Sequence, residues 1–157
     1  MKLSELISDD VILLSLQGSD APAVLREFAD AVSGAGKYPD SQVLFEHLYD
    51  REKQESTGIG NGLAIPHCKL DNLQEVVIAI GYSRQGVQFN AIDGKPTFFF
   101  FLVISPSGSS VLHLRALAAL SRLLRSATFL SQLRQWPAKQ ELIALIKQEE
   151  ERIAVAS

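Results

Sequence analysis

The chain has 157 residues, 46% of them hydrophobic and 21% charged, a balance that suits one globular domain spanning 1–157. Its 15 basic and 18 acidic residues leave a formal net charge of −3, and no basic run is long enough to make a nucleic-acid surface. One cysteine excludes an intrachain disulfide and a four-thiolate metal site.

The start, MKLSELISDDVILLSL, carries one lysine and an apolar run broken by Glu5, Asp9 and Asp10, which is not the pattern of a signal peptide. A brief helical turn is expected around Leu3 to Ile7 and a strand over VILLSL at 11–16. Asp20 is a ready helix cap, with Pro22 in the first turn that follows and apolar residues at helical spacing as far as Ala31. Gly34 and Gly36 should stop that helix. A second helix is expected from Pro39-Asp40, carrying Val43, Leu44, Leu48 and Tyr49 and running out in REKQE.

A glycine-rich loop follows, and VVIAIGY (76–82) and TFFFFLVIS (97–105) then read as strands. Four consecutive phenylalanines, Phe98 to Phe101, need cover on both faces, which predicts a central, sandwiched strand. The segment 96–105 is far too short to cross a bilayer. SPSGSS at 105–110 is a loop that can cap a helix through Ser109 or Ser110, and the remainder is helical by pattern. Helices at both ends with strands between them predict an α/β domain, a central sheet packed by helices. A cytoplasmic protein is the expected setting.

Three histidines are candidates for chemistry. His47, in FEHLYD, has no evident partner and reads as a surface or boundary residue. His67 ends GIGNGLAIPH, where Pro66 fixes its own φ and pushes Ile65 into extended backbone, so the imidazole leaves a stiff stem. Gly58, Gly60 and Gly62 let backbone N–H groups approach an anion, Ser56 and Thr57 add hydroxyls, and Arg51 adds a guanidinium. These are parts for holding phosphate beside a histidine; a tight turn with a boundary histidine is the plainer alternative. His113 falls in the first turn of the helix after SPSGSS, where the helix N-terminus attracts anions and disfavours an imidazolium.

The run REKQESTGIGNGLAIPHCKL at 51–70 resembles the active-site signature of the enzyme IIA components of the bacterial phosphotransferase system. The resemblance is to the fructose/mannitol family and most closely to its nitrogen-related regulatory branch. HLRALAALSRLL from His113 and AIDGKPTFFFFLVISP resemble two further stretches of that family, so the likeness spans nearly the whole chain. It implies a mixed β-sheet flanked by helices on both faces, and a phosphohistidine carrier supplied by an HPr-like phosphocarrier protein. It implies that His67 takes the phosphoryl group on Nε2, that His113 assists, and that Arg51 lies near.

That chemistry asks for a neutral acceptor imidazole whose Nδ1–H is held, leaving the Nε2 lone pair toward phosphorus. It asks also for donors around the equatorial oxygens, a task that suits Arg51, Ser56, Thr57, Gly58 and His113. No metal or other cofactor is expected, because the donor is another phosphohistidine. Cys68 stands where the family usually has glycine; a tolerated small residue is expected there, the alternatives being a narrowed approach to His67 and a thiol of lowered pKa open to oxidation.

Four functions compete on these residues: a regulatory carrier that alters target proteins, a sugar-transport subunit passing phosphoryl to a IIB protein, an unphosphorylated binding module, and a metal- or thiol-dependent enzyme. The last is the weakest, since adjacent residues 67 and 68 rarely face one ion. The helix from His113 carries Arg115, Arg122 and Arg125 among leucines and alanines, a core stripe that also offers surface for a homodimer.

Overall fold

The strand that carries the four phenylalanines lies at the centre of the sheet, covered on both faces from Phe99 onward. In the computed structural model, which describes residues 1–156, β6 (Thr97–Pro106) pairs antiparallel with β5 (Val77–Val87) on one side. On its other side it pairs parallel with β3 (Leu63–Ala64) and β4 (His67–Leu70). β1 (Ile7–Leu13) runs parallel to β5 at one edge, and β2 (Gly58–Gly60) runs antiparallel to β3 at the other. The sheet is therefore mixed, with six strands in the order β1-β5-β6-β3-β2 and β4 beside β6.

Alternate residues of β6 feed two cores. Phe100, Leu102 and Ile104 pack with Val24, Leu25, Phe28, Leu44 and Leu48 from α2 (Ala21–Gly34) and α3 (Ser41–Gln54). Phe99, Phe101 and Val103 pack against the other helices: α4 (Ser110–Leu124), α5 (Ala127–Leu133) and α6 (Lys139–Ala156). A strand apolar on both faces is stable only in such a sandwich, where each buried side chain leaves water on one face or the other. The expected α/β class, with helices on both faces of a mixed sheet, is the one observed. Among the described residues no helix is long and apolar enough to cross a membrane.

The caps fall where the residues predict. Asp20 accepts from the Ala23 N–H and Asp40 from the Val43 N–H, each satisfying an otherwise unpaired first-turn donor. Ser109, rather than Ser110, caps α4 through the Leu112 N–H. Several boundaries differ from expectation, and β5 runs on to Val87 rather than stopping at residue 82. The turn α1 (Leu3–Leu6) leads directly into β1, so the first strand begins at Ile7 rather than at residue 11 and ends at Leu13. Its polar start hides the strand because β1 is an edge: the register shifts between Ile7 and Ile12, and Asp9 and Asp10 there are exposed. The C-terminal helical run breaks at Arg125, where Ser126 caps α5 through the Phe129 N–H. The glycine-rich stretch, read as a loop, contains β2 and β3, and β4 begins at His67.

Candidate functional site

The stem of His67 is an interruption in what is otherwise one strand. Leu63 and Ala64 pair with Phe99 and Phe100, and His67 and Cys68 continue in the same register with Val103 and Ile104. Between them Pro66 has no N–H to give, while its carbonyl accepts from the Val103 N–H at 2.9 Å. The Ile65 N–H turns aside to the Thr57 carbonyl at 3.1 Å. The Ile65 carbonyl lies 2.7 Å from His67 Nδ1. A carbonyl can only accept, so Nδ1 carries the hydrogen and the neutral ring keeps its lone pair on Nε2.

His113 reaches the same place from the opposite element. It sits in the first turn of α4, is 7% exposed, and has Nδ1 2.8 Å from the hydroxyl of Ser105 on β6. The His67 and His113 ring centroids are 5.4 Å apart, with the planes inclined at 54°. Burial, chiefly, lowers the pKa of both rings, and the Arg51 charge adds to this. For His113, His67 and Lys69 contribute as well, and its pKa falls to about 4. Both imidazoles are thus neutral at neutral pH, the state an acceptor nitrogen needs.

A cleft of about 320 Å³ opens over the pair, lined by His47, Asp50, Arg51 and Gln54 from α3, and by His67, Cys68, Lys69 and His113. Arg51 Nη1 donates to the Glu55 carbonyl at 2.8 Å, which fixes the guanidinium at the end of α3. Lys69 lies two residues beyond His67 and so on the same face of β4; its Nζ is 3.4 Å from Ser110 Oγ.

The sequence reading missed His47, Asp50, Gln54 and Lys69 as neighbours of the site. The signal was present: residues 47, 50, 51 and 54 follow the i, i+3, i+4, i+7 spacing of one helix face. His47 is exposed, as expected, but it has a partner, the Val43 carbonyl at 2.9 Å from Nδ1.

Ser56, Thr57 and Gly58 do not line this cleft. Thr57 is 6% exposed; its N–H and hydroxyl both donate to Glu52, each at 2.6 Å. Ser56 Oγ donates to the Phe89 carbonyl at 2.7 Å and accepts from the Gly58 N–H at 3.0 Å. A Cβ on Gly58 would stand 2.9 Å from Ala91 Cα, so this glycine is required by close backbone approach rather than by an anion. The three residues hold the loop in place; the donors they were expected to offer phosphate are already engaged within the protein.

Cys68 fits the reading of a tolerated small residue and not the redox alternative. Strand alternation turns its side chain away from His67 into the core under α2 and α3, leaving it 6% exposed. Burial pushes the thiol up to about 12, the reverse of a reactive thiolate. Among the described residues no cluster of three or more His, Cys, Asp or Glu side chains is arranged to hold a metal ion.

Residues 5–149 match the family described as phosphoenolpyruvate-dependent sugar phosphotransferase system, EIIA 2. The chain is 32% identical over 146 residues to a nitrogen regulatory protein from Pseudomonas aeruginosa, covering 93% of this chain and 95% of that one. It is 35% identical over 148 residues to the fructose-specific EIIABC component of Bacillus subtilis, 94% of this chain but only 23% of that longer protein. The crystal structure of nitrogen regulatory protein IIA-Ntr from Neisseria meningitidis superposes with a TM-score of 0.85 at 26% identity, covering 92% of this chain and 98% of that one. Mannitol enzyme IIA from Escherichia coli, solved in complex with phosphorylated enzyme IIB, shares the fold with a TM-score of 0.76 at 16% identity over 91% of this chain and 99% of that chain.

Proposed function

Because the chain belongs to the phosphoenolpyruvate-dependent sugar phosphotransferase system EIIA 2 family, we propose that it is a phosphohistidine carrier with His67 as the acceptor and a regulatory role. The observation that carries this reading is the 2.7 Å contact of His67 Nδ1 with the Ile65 carbonyl, which leaves Nε2 as the free base beside His113. In the transfer, the Nε2 lone pair attacks the phosphorus of an HPr-like phosphohistidine, an Nε2–P bond forms and the donor's N–P bond breaks. The donor imidazole leaves with the electron pair of the broken bond. Nδ1 keeps its hydrogen on Ile65 throughout, so the positive charge of the substituted ring is spread toward that carbonyl.

Catalysis of this kind is mostly positioning and charge stabilisation. Arg51 and Lys69 bring positive charge to the cleft, and His113 presents its Nε2 edge toward the phosphoryl oxygens. The regulatory role is favoured by the match along almost the full length of a nitrogen regulatory protein and by the likeness to IIA-Ntr. The second reading, a transport subunit handing phosphoryl to a IIB protein, draws on the fructose-specific relative and on the fold shared with mannitol IIA in its complex with phosphorylated IIB. Either role belongs to the cytoplasm, where such donors work.

The test is incubation with phosphoenolpyruvate, enzyme I and HPr, followed by intact mass at alkaline pH. A single acid-labile phosphoryl adduct, absent in His67→Ala, is the expected result. No adduct with the donor proteins shown to be active would overturn it. Transfer from the adduct to purified IIB proteins would separate transport from regulation.

A further inference from the structure

A second cleft, sharing no lining residue with the histidine site, surrounds the chain's one tryptophan. It encloses about 470 Å³ between Phe98, Phe99, Pro96 and Trp136, with Asn61, Asp93, Lys95 and Arg134 at its polar rim. We infer that this cleft binds a planar aromatic anion, a ring bearing one carboxylate or phosphate group.

Trp136 is a bulky residue with a φ of +56°, backbone that L side chains seldom adopt and that costs on the order of 1–3 kcal/mol. Its surroundings over-determine that conformation. The indole lies edge-on to Tyr82 at 5.7 Å, 4.8 Å from Phe99, and under the Arg84 guanidinium at 4.6 Å. The Tyr82 hydroxyl donates to the neighbouring Pro137 carbonyl at 3.1 Å. Several contacts are thus spent on presenting a half-buried indole at the mouth of a cleft rather than in the core. Phe98 behaves similarly: it is the only member of the FFFF run that is not buried, and its ring stands at 85° to the indole with centroids 6.5 Å apart. Two rings set almost at right angles make an apolar corner that fits the face and edge of a third.

The rim chooses the charge. Arg134 gives one N–H to the Asn61 carbonyl at 3.0 Å, which leaves the rest of its five donors for a ligand. The Lys95 amine makes no hydrogen bond or salt bridge among the described residues, though its charge acts on Asp93 from a distance. The one carboxylate, Asp93, is occupied by the Asn61 N–H at 3.0 Å and the Lys95 N–H at 3.1 Å. Two cations therefore face one carboxylate already tied to backbone, and a fork-shaped guanidinium is suited to carboxylate or phosphate. Asn61, at φ +57°, is a second strained residue on this rim, fixed between Arg134 and Asp93.

One tryptophan gives one indole N–H cross-peak, so binding can be read by NMR on the unphosphorylated, full-length chain without any donor protein. The probes are phenylacetate, phenyl phosphate and adenosine 5′-monophosphate, with benzyl alcohol and adenosine as uncharged controls. A saturable shift of the indole peak is expected with the anions, about tenfold weaker with the controls and about tenfold weaker again in Arg134→Gln and Lys95→Gln. Arg134 and Lys95 are exposed, and an unchanged His67 signal verifies that the variants are folded. Tighter binding of the nucleotide identifies a nucleotide source; tighter binding of the phenyl compounds identifies a small aromatic acid. No saturable shift with any anion up to about 10 mM, equal binding of the controls, or binding indifferent to both variants overturns the assignment.

Discussion

Glu52 grips Thr57 with both carboxylate oxygens, 2.6 Å from its backbone nitrogen and 2.6 Å from its hydroxyl. The contact begins a chain that ends at the acceptor: the Thr57 carbonyl receives the Ile65 N–H, and the Ile65 carbonyl receives His67 Nδ1–H. Each link is a buried or half-buried polar group that is costly to leave unpaired. Glu52→Ala strands two donors on Thr57 and should cost about 1–3 kcal/mol in denaturant unfolding. It should also lower the rate of His67 phosphorylation, because the peptide that orients the imidazole loses its anchor. A loss of stability with an unaltered rate and unaltered His67 ¹⁵N shifts would show that the chain of bonds holds the loop only.

Protonation supplies a second prediction, with opposing signs. The folded pKa of His113, about 4, lies below its ordinary 6.5. Its stabilising effect is complete above 6.5 and is lost as pH falls toward 4, since the unfolded chain binds the extra proton. Glu52 behaves in reverse: burial raises its pKa above 4.5, so its contribution is complete below 4.5 and declines as pH rises through the folded value. Unfolding free energy measured between pH 4 and 6.5 should therefore fall less steeply with acid in His113→Gln than in the parent chain. His67 is shifted down too, so the pH at which phosphoryl acceptance falls to half should lie below 6.5. Rates taken with pre-phosphorylated donor protein decide the point.

Much of this site can be read from residue order, and the part that cannot has a common cause. Pro66 before His67 announces a stiff stem, and Asp20 and the pair Ser109 and Ser110 announce caps, because these effects act over a few residues. The pairing of His67 with His113 depends on β4 and the start of α4 meeting across β6, a contact that no local pattern carries. The hydroxyls of Ser56 and Thr57 were read as phosphate donors because a sequence lists donors without showing their partners; Glu52 and Phe89 had already claimed them. The bulged edge strand β1 escaped for a similar reason: Asp9 and Asp10 look like a loop until the strand is known to lie at the sheet's border.

Cys68 yields a chemical prediction. With 6% exposure and a thiol pushed up to about 12, it should resist iodoacetamide and disulfide reagents at neutral pH while the chain is folded. Unfolding in denaturant should expose it to full labelling, which intact mass will count. Rapid labelling of the native chain, or phosphorylation that falls on mild oxidation and returns with thiol, would restore the redox reading that the burial argues against.

Lys69 is the residue whose removal best separates charge from architecture. It is exposed on the His67 face of β4, the one hydrogen bond of its amine among the described residues is a long 3.4 Å contact to Ser110 Oγ, and its charge helps to lower the His113 pKa. Lys69→Gln should leave the unfolding free energy within about 0.5 kcal/mol, since surface substitutions of this kind disturb little packing. The His113 pKa should rise, but by less than the full displacement from 6.5, because burial is the larger cause. A phosphoryl group on Nε2 brings negative charge into the cleft, so the same variant should slow phosphorylation about three- to tenfold at low salt. That deficit should shrink as salt approaches about 1 M, where charges are screened within about 3 Å. A deficit that does not respond to salt would assign Lys69 a packing role instead, and no deficit would leave Arg51 as the cleft's effective cation.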